Sequence, residues 1–139
     1  NEPVDFRNLS DLEKKHLPII IAPEKVAKGH SFDVYIRIGK EREHPNEPGH
    51  SIQFIELYAD EMLLNRVQMV SLLACPQTRL HIVLQGPCHE LKALAYCNKH
   101  GLWMGRKKIA VGDQPPEALG SPGRPESGSR ELRHFGSTP

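Results

Sequence analysis

Apolar and polar residues alternate along much of the chain, as they do in β-strands with one buried face. The segment 31–38 places apolar residues at every second position, from Phe32 to Ile38. Segments 80–84 and 91–97 repeat this period of two. Because successive side chains of a strand point to opposite faces, the pattern predicts half-buried strands at all three places.

Three further segments extend this prediction. Residues 51–59 change their apolar phase once, which indicates a strand with a bulge or with both faces covered. Residues 60–70 contain good helix formers, but Val67, Val70 and the lack of a helical stripe favour a strand over a helix. Residues 107–111 predict a short closing strand. Short strands between turns are typical of an all-β antiparallel sandwich.

The composition indicates one folded unit and a tail. A chain of 139 residues with 38% hydrophobic content can build one modest core. We expect this core in residues 1–111. Residues 112–139 are rich in Gly, Pro and Ser, and their few apolar residues are scattered, which predicts a flexible, disordered tail.

Charge and cysteine content exclude several function classes. Eighteen basic and seventeen acidic residues leave a net charge of +1, so nothing favours nucleic acid or a membrane surface as a partner. No apolar run approaches the roughly 20 residues that span a bilayer. Three cysteines, an odd number, argue against a complete disulfide framework and favour a reducing compartment, so we expect a cytoplasmic protein.

Three short clusters carry the candidate chemistry, and we expect each at a strand boundary or in a loop. Each pair of potential ligands would more often be structural if it stood alone. Together, four imidazoles and one thiolate exceed the four ligands of a closed zinc site and leave one octahedral position open, which suits iron. The clusters are 13–18 with His16, 44–50 with His44 and His50, and 97–103 with Cys97 and His100.

The motifs in these clusters resemble those of the superoxide reductase family, specifically its one-iron neelaredoxin type. The motifs are a Lys-His-x-Pro sequence at 15–18, HPNEPGH at 44–50 and CNKHGLW at 97–103. Segments IELYAD at 55–60 and ALAYC at 93–97 extend the resemblance, which covers roughly residues 12–104. The tail has no counterpart in the family.

The resemblance implies a fold, a metal centre and a reaction. The fold would be an immunoglobulin-like β-sandwich of about seven strands. One iron per chain would bind four equatorial imidazoles and an axial thiolate, with the sixth position facing solvent. Superoxide would take one electron and two protons there and leave as hydrogen peroxide, without dioxygen. The implied ligands are His16, His44, His50 and His100, with Cys97 as the thiolate.

The resemblance also implies partners and catalytic residues. Electrons would come from rubredoxin or a similar small donor, and the chain would form a homodimer or homotetramer. Lys15 would attract superoxide and help to position protons. Relatives usually place a glutamate directly before this lysine, but Lys14 stands there. Glu13, one residue earlier, could reach the iron after a loop adjustment, or water or hydroxide could remain there instead.

Two other functions remain open from the sequence. The same ligands could merely stabilise the loops of a non-catalytic β-sandwich binding module. Alternatively, the protein could act like a superoxide dismutase, which also oxidises superoxide to dioxygen and needs no external donor. Trp103 could stack on the ligand loop or belong to the core. We assign no role to His30, His81, His89, His134, Cys75 or Cys88.

Overall fold

The computed structural model describes residues 1–113, whose regular structure is almost entirely β-strand. No helix in this part is long and apolar enough to cross a membrane. The tail predicted over 112–139 lies outside the described residues from position 114 onward. In chain order, the elements are α1 (Asp11–His16), β1 (Pro18–Ile21), β2 (Lys25–Ala27), β3 (Ser31–Ile38), β4 (Ile52–Ala59), β5 (Met62–Gln68), β6 (Gln77–Val83), β7 (Glu90–Cys97), β8 (Gly101–Lys108) and β9 (Ala110–Gly112).

Two antiparallel sheets contain most of these strands. The first has three strands in the order β1-β3-β6, and the second has four in the order β5-β4-β7-β8. The short strands β2 and β9 pair in parallel beside them. The predicted antiparallel β-sandwich of about seven strands is therefore confirmed by the two main sheets.

The core lies between the two sheets and follows the alternation of the sequence. Val34 and Ile36 of β3 are completely buried, and so are Leu91 and Ala93 of β7 in the other sheet. Both groups belong to one continuous cluster of buried apolar residues. Burying one large aliphatic side chain contributes about 1.5–3 kcal/mol to the stability of the folded state. The cluster therefore gives the loops at its edge a rigid support.

The two ambiguous strand predictions are also confirmed. The phase change within 51–59 occurs where the register of β4 against β7 shifts, between Ile52 and Phe54. Ile52 and Ile55 are both buried, and the bulge is what allows this spacing of three. The segment 60–70 contains the strand β5, which pairs with β4, and no helix.

The first ligand cluster lies at a strand boundary as predicted, since Pro18 begins β1, but residues 13–15 and His16 form the end of the helix α1, which the sequence pattern did not predict. Ser10 caps its N-terminus by accepting a hydrogen bond from the Glu13 backbone amide. The helix ends at His16, and the next residue, Leu17, has the extended backbone that a residue before proline favours. With only six residues, this helix is too short to leave a periodic apolar pattern.

The closing strand predicted over 107–111 was wrong in its bounds. The structure has two strands there, β8 and β9, separated by the buried Ile109. The strand β8 is difficult to predict from the sequence because it contains glycines at 101 and 105, and glycine is depleted in strands. Gly105 is needed because a Cβ at this position would overlap the Pro18 carbonyl oxygen, so only glycine lets β8 pass β1 this closely.

Candidate metal centre

His16 lies at the end of α1, where it is 1% exposed. Its Nδ1 is 2.7 Å from the Leu12 carbonyl oxygen, one helical turn earlier. Because a carbonyl only accepts hydrogen bonds, Nδ1 carries the proton in this contact and Nε2 keeps its lone pair. The helix therefore fixes both the orientation and the tautomer of this imidazole.

His44 is oriented in the same way in the loop between β3 and β4. It is 2% exposed, and its Nδ1 donates to the Pro45 carbonyl oxygen at 2.7 Å. Its Nε2 lies 3.2 Å from the Nε2 of His16. Two unprotonated nitrogens this close repel each other unless a cation lies between them. Adjacent ligands on one metal, with bonds of about 2.1 Å at right angles, would be about 3.0 Å apart.

Four imidazoles form a closed ring. Centroids of neighbouring rings are 4.6, 4.8, 5.0 and 4.8 Å apart, and neighbouring planes are tilted by 71–83°. The His16 and His50 rings lie across this arrangement, with centroids 6.1 Å apart and planes only 29° apart. The four rings, which belong to His16, His44, His50 and His100, thus surround one central point.

The β7–β8 hairpin adds a thiol to this ring. Cys97 ends β7 and is completely buried, and its Sγ lies 3.8 Å from Nδ1 of His100 in the turn. Cys97 is in register with Gly101, the first residue of β8. The potential ligand atoms of His16, His50, Cys97 and His100 lie within 4.8 Å of one another. His44 joins this group through its contact with His16.

The chemistry of these donors fits an iron ion. Burial lowers the pKa of His44 to about 4, and burial is also the main cause that lowers the pKa of His16 and His50. These three imidazoles are therefore neutral at pH 7, as metal ligands must be. The Nε2 of His50 is buried and has no hydrogen-bond partner within residues 1–113. Such an orphaned atom is expected where a metal completes the site.

Two lysines lie close enough to influence the imidazoles. After burial and the neighbouring histidines, Lys15 lowers the pKa of both His16 and His50. Lys99, in the turn between Cys97 and His100, also lowers the pKa of His50. Lys99 is exposed and His50 is half-buried, whereas Cys97 is completely buried. The charge of Lys99 thus lies toward solvent, while Lys15 is half-buried.

The Glu13 carboxylate is engaged in the helix cap. Its Oε1 accepts a hydrogen bond from the Ser10 backbone amide at 2.8 Å, which completes a reciprocal capping box. Use of Glu13 as a ligand would require this hydrogen bond to break. The structure therefore gives Glu13 a local structural role, while its role at the metal stays a prediction.

Trp103 combines the two interpretations that the sequence left open. It is 5% exposed, and its ring stacks on His16 with centroids 4.9 Å apart. Its Nε1 donates to the His100 carbonyl oxygen at 3.1 Å. Trp103 is thus a buried residue that supports two sides of the histidine ring. Sequence reasoning overlooked the charge of Lys99 and the side chain of Asn98, although both residues stand inside the CNKHGLW motif.

Of the histidines and cysteines without an assigned role, those within residues 1–113 lie away from the metal centre, and His134 lies outside the described residues. His81 pairs with Asp33 at 2.7 Å on an exposed sheet surface, and His89 lies 3.6 Å from Asp60. Burial raises the pKa of the Cys88 thiol, which keeps it protonated and unreactive. The contacts of His81, His89 and Cys88 are ordinary structural ones and place none of these three residues at the metal centre.

Known proteins share both the sequence and the arrangement of strands. The family model described as Desulfoferrodoxin matches residues 8–106. A superoxide reductase from Pyrococcus abyssi is 37% identical over 99 residues, which cover 65% of this chain and 83% of the relative. The solved structure of a superoxide reductase (neelaredoxin) from Ignicoccus hospitalis aligns with a TM-score of 0.63 and 39% identity, over 70% of this chain and 81% of that one.

A second solved structure agrees with this match. The superoxide reductase from Nanoarchaeum equitans aligns with a TM-score of 0.58 and 30% identity, over 69% of this chain and 89% of that chain. The family model spans all three ligand clusters, from α1 to β8. The chain therefore belongs to the desulfoferrodoxin family and is of the neelaredoxin type of superoxide reductases.

Proposed function

We propose that this protein reduces superoxide to hydrogen peroxide at a mononuclear iron centre. One superoxide, one electron and two protons give one hydrogen peroxide, and no dioxygen is formed. The observation that carries this proposal is the ring of four imidazoles beside a buried thiol. Five protein ligands leave one octahedral position for a substrate, which a closed structural site would not provide.

The residues that would hold one iron per chain are those of the ring and its thiol. When bound, iron supplies the single electron of the reaction by passing from the ferrous to the ferric state. The buried Cys97 thiolate stabilises the ferric state with its negative charge. The imidazoles bind through unprotonated nitrogens, which the backbone contacts of His16 and His44 keep available.

Lys15 and Lys99 attract the substrate. Superoxide is an anion, and two cations close to the imidazoles raise its local concentration and its rate of association. The Nζ of Lys15 can also orient the waters that deliver protons to the reduced substrate. We assign the catalytic role to Lys15. We assign only the helix cap to Glu13, because its carboxylate already accepts the Ser10 amide.

The reaction also requires a source of electrons. We propose a small iron protein such as rubredoxin as the donor, since each turnover consumes one electron that the substrate does not return. The three cysteines are free, which fits a reducing compartment and supports a cytoplasmic location. We also propose that the chain works as a homodimer or homotetramer.

The proposal is tested by loading the purified protein with either iron or zinc. We expect the reduced, iron-loaded protein to consume superoxide in a rapid-mixing experiment and the zinc-loaded protein to be inert, because zinc has no accessible redox change. Equal inactivity of both forms would favour the non-catalytic binding module instead.

A further inference from the structure

The Asn98 side chain holds the backbone on both sides of His50. Its Oδ1 accepts a hydrogen bond from the Ser51 amide at 3.0 Å, and its Nδ2 donates to the Gly49 carbonyl at 3.2 Å. The backbone amide of Asn98 also donates to the Ser51 carbonyl at 3.3 Å. Asn98 directly follows Cys97, so these contacts join the ligand loop to the hairpin that carries the thiol.

The His50 imidazole needs this support more than the other imidazoles do. The rings of His16 and His44 are each anchored by a hydrogen bond from Nδ1 to a backbone carbonyl. His100 follows Cys97 in the same turn, and its carbonyl accepts the Trp103 indole. The buried Nε2 of His50 has no partner within residues 1–113. The position of the His50 ring is therefore set mainly by its backbone.

The Asn98 carboxamide satisfies both backbone groups at once, because it carries an acceptor and a donor. The Ser51 amide needs an acceptor, and the Gly49 carbonyl needs a donor, so an aspartate or an aliphatic side chain would leave one or both unpaired. Gly49 has a φ of 78°, in the left-handed region that glycine adopts without strain. The backbone before His50 thus turns sharply, and Asn98 holds the end of this turn.

We propose that Asn98 is a positioning residue that sets the location of His50 relative to Cys97 and His100. It does not touch the metal position, and it acts through the backbone of His50. This inference rests on the proposed metal centre. Outer contacts of this kind typically change metal affinity by 10–100-fold when they are removed.

The test measures Co²⁺ binding to the metal-free full chain by competition with a chelator. We expect Asn98→Ala to weaken Co²⁺ binding by about tenfold. Asn98 is exposed, so the variant should fold, and circular dichroism of the metal-free protein checks this. Asn46→Ala is the matched control. Asn46 lies in the loop that carries His50, but its side chain accepts a hydrogen bond from the Leu72 amide at 2.9 Å and makes none to the backbone beside His50. The affinity of this variant should stay within about twofold of the parent.

A double-mutant cycle separates positioning from general loop stability. In a His50→Ala background, Asn98→Ala should cause no further loss of Co²⁺ affinity, because the imidazole it positions is gone. An undiminished loss in that background, or equal losses for Asn98→Ala and Asn46→Ala, would overturn the inference. Wild-type affinity in Asn98→Ala would overturn it too, while leaving the proposed function intact. Failure of the parent protein to bind Co²⁺ would instead reject the metal centre, and both proposals with it.

Discussion

The Lys14 ammonium lies 3.7 Å from a carboxylate oxygen of Glu41, so its charge is partly neutralised by the loop after β3. The adjacent Lys15 forms no ion pair within residues 1–113. Lys15 also lowers the pKa of His16 and His50, after burial and the other histidines. Of two neighbouring lysines, only Lys15 is thus free to attract an anion to the centre.

This difference predicts unequal effects of two substitutions. Lys15→Ala should lower the second-order rate constant for superoxide by about tenfold at low salt, and it should flatten the dependence of that rate on ionic strength. Lys14→Ala, the matched control, should change the rate by less than about threefold. Rapid mixing at several salt concentrations measures both. Equal effects of the two variants would contradict the assignment of Lys15.

The histidine ring predicts which imidazoles bind metal. His44→Ala should reduce the affinity for Fe²⁺ or Co²⁺ by more than about 100-fold. Removing a residue that only hydrogen-bonds a metal ligand already lowers metal affinity by up to about 100-fold, and loss of a ligand itself should lower it further. His81→Ala is the control, since this exposed histidine pairs with Asp33 and should leave the affinity unchanged. Chelator competition gives both constants. Retained affinity in His44→Ala would remove this residue from the ligand set.

The capping box predicts that Glu13 can be replaced by glutamine. The Glu13→Gln amide oxygen can still accept the Ser10 amide, so the stability should not change, whereas Ser10→Ala should lose about 1 kcal/mol. Thermal unfolding measures these changes. We also expect the visible spectrum of oxidised, iron-loaded Glu13→Gln to match that of the parent. An altered spectrum would show that the carboxylate acts at the metal.

A buried carboxylate in β4 predicts a stability effect far from the metal centre. The Glu56 side chain is only 9% exposed, and it pairs with Arg66 at 2.8 Å and accepts the Tyr58 hydroxyl. Arg66→Ala should lower the free energy of unfolding by about 1–3 kcal/mol, because it leaves this carboxylate under-satisfied. Denaturant unfolding provides the value. Arg79→Ala, which removes only a distant contact with Tyr35, should cost less than about 1 kcal/mol.

Much of the fold could be predicted because its strands are half-buried. A period of two is visible in β3, and even the bulge in β4 leaves a mark, since Ile52 and Ile55 are both buried. The helix α1 leaves no such mark, because its six residues are held by a cap and followed by a proline. The strand β8 is hidden for a different reason. A glycine is required at position 105 because β8 passes close to the backbone of Pro18, and this tertiary contact leaves no local sequence pattern.

The ligand motifs could be recognised in the sequence, but the contacts that orient them could not. The tautomer of His16 depends on the Leu12 carbonyl, which is available only because α1 forms. The stacking of Trp103 on His16 depends on the packing of β8 against the helix end. Likewise, the Asn98 side chain contacts Ser51 and Gly49, which are 47 and 49 positions away in the sequence. Such relationships follow from the assembled fold, and no local pattern reveals them.

The products of one turnover distinguish reduction of superoxide from its dismutation. The reduced, iron-loaded protein is mixed anaerobically with a known amount of superoxide, and peroxide, dioxygen and the visible band of the oxidised centre are measured together. We expect one hydrogen peroxide per superoxide consumed, no dioxygen, and rapid appearance of the band. Equal yields of peroxide and dioxygen would indicate dismutation, and no reaction despite bound iron would reject catalysis at this centre.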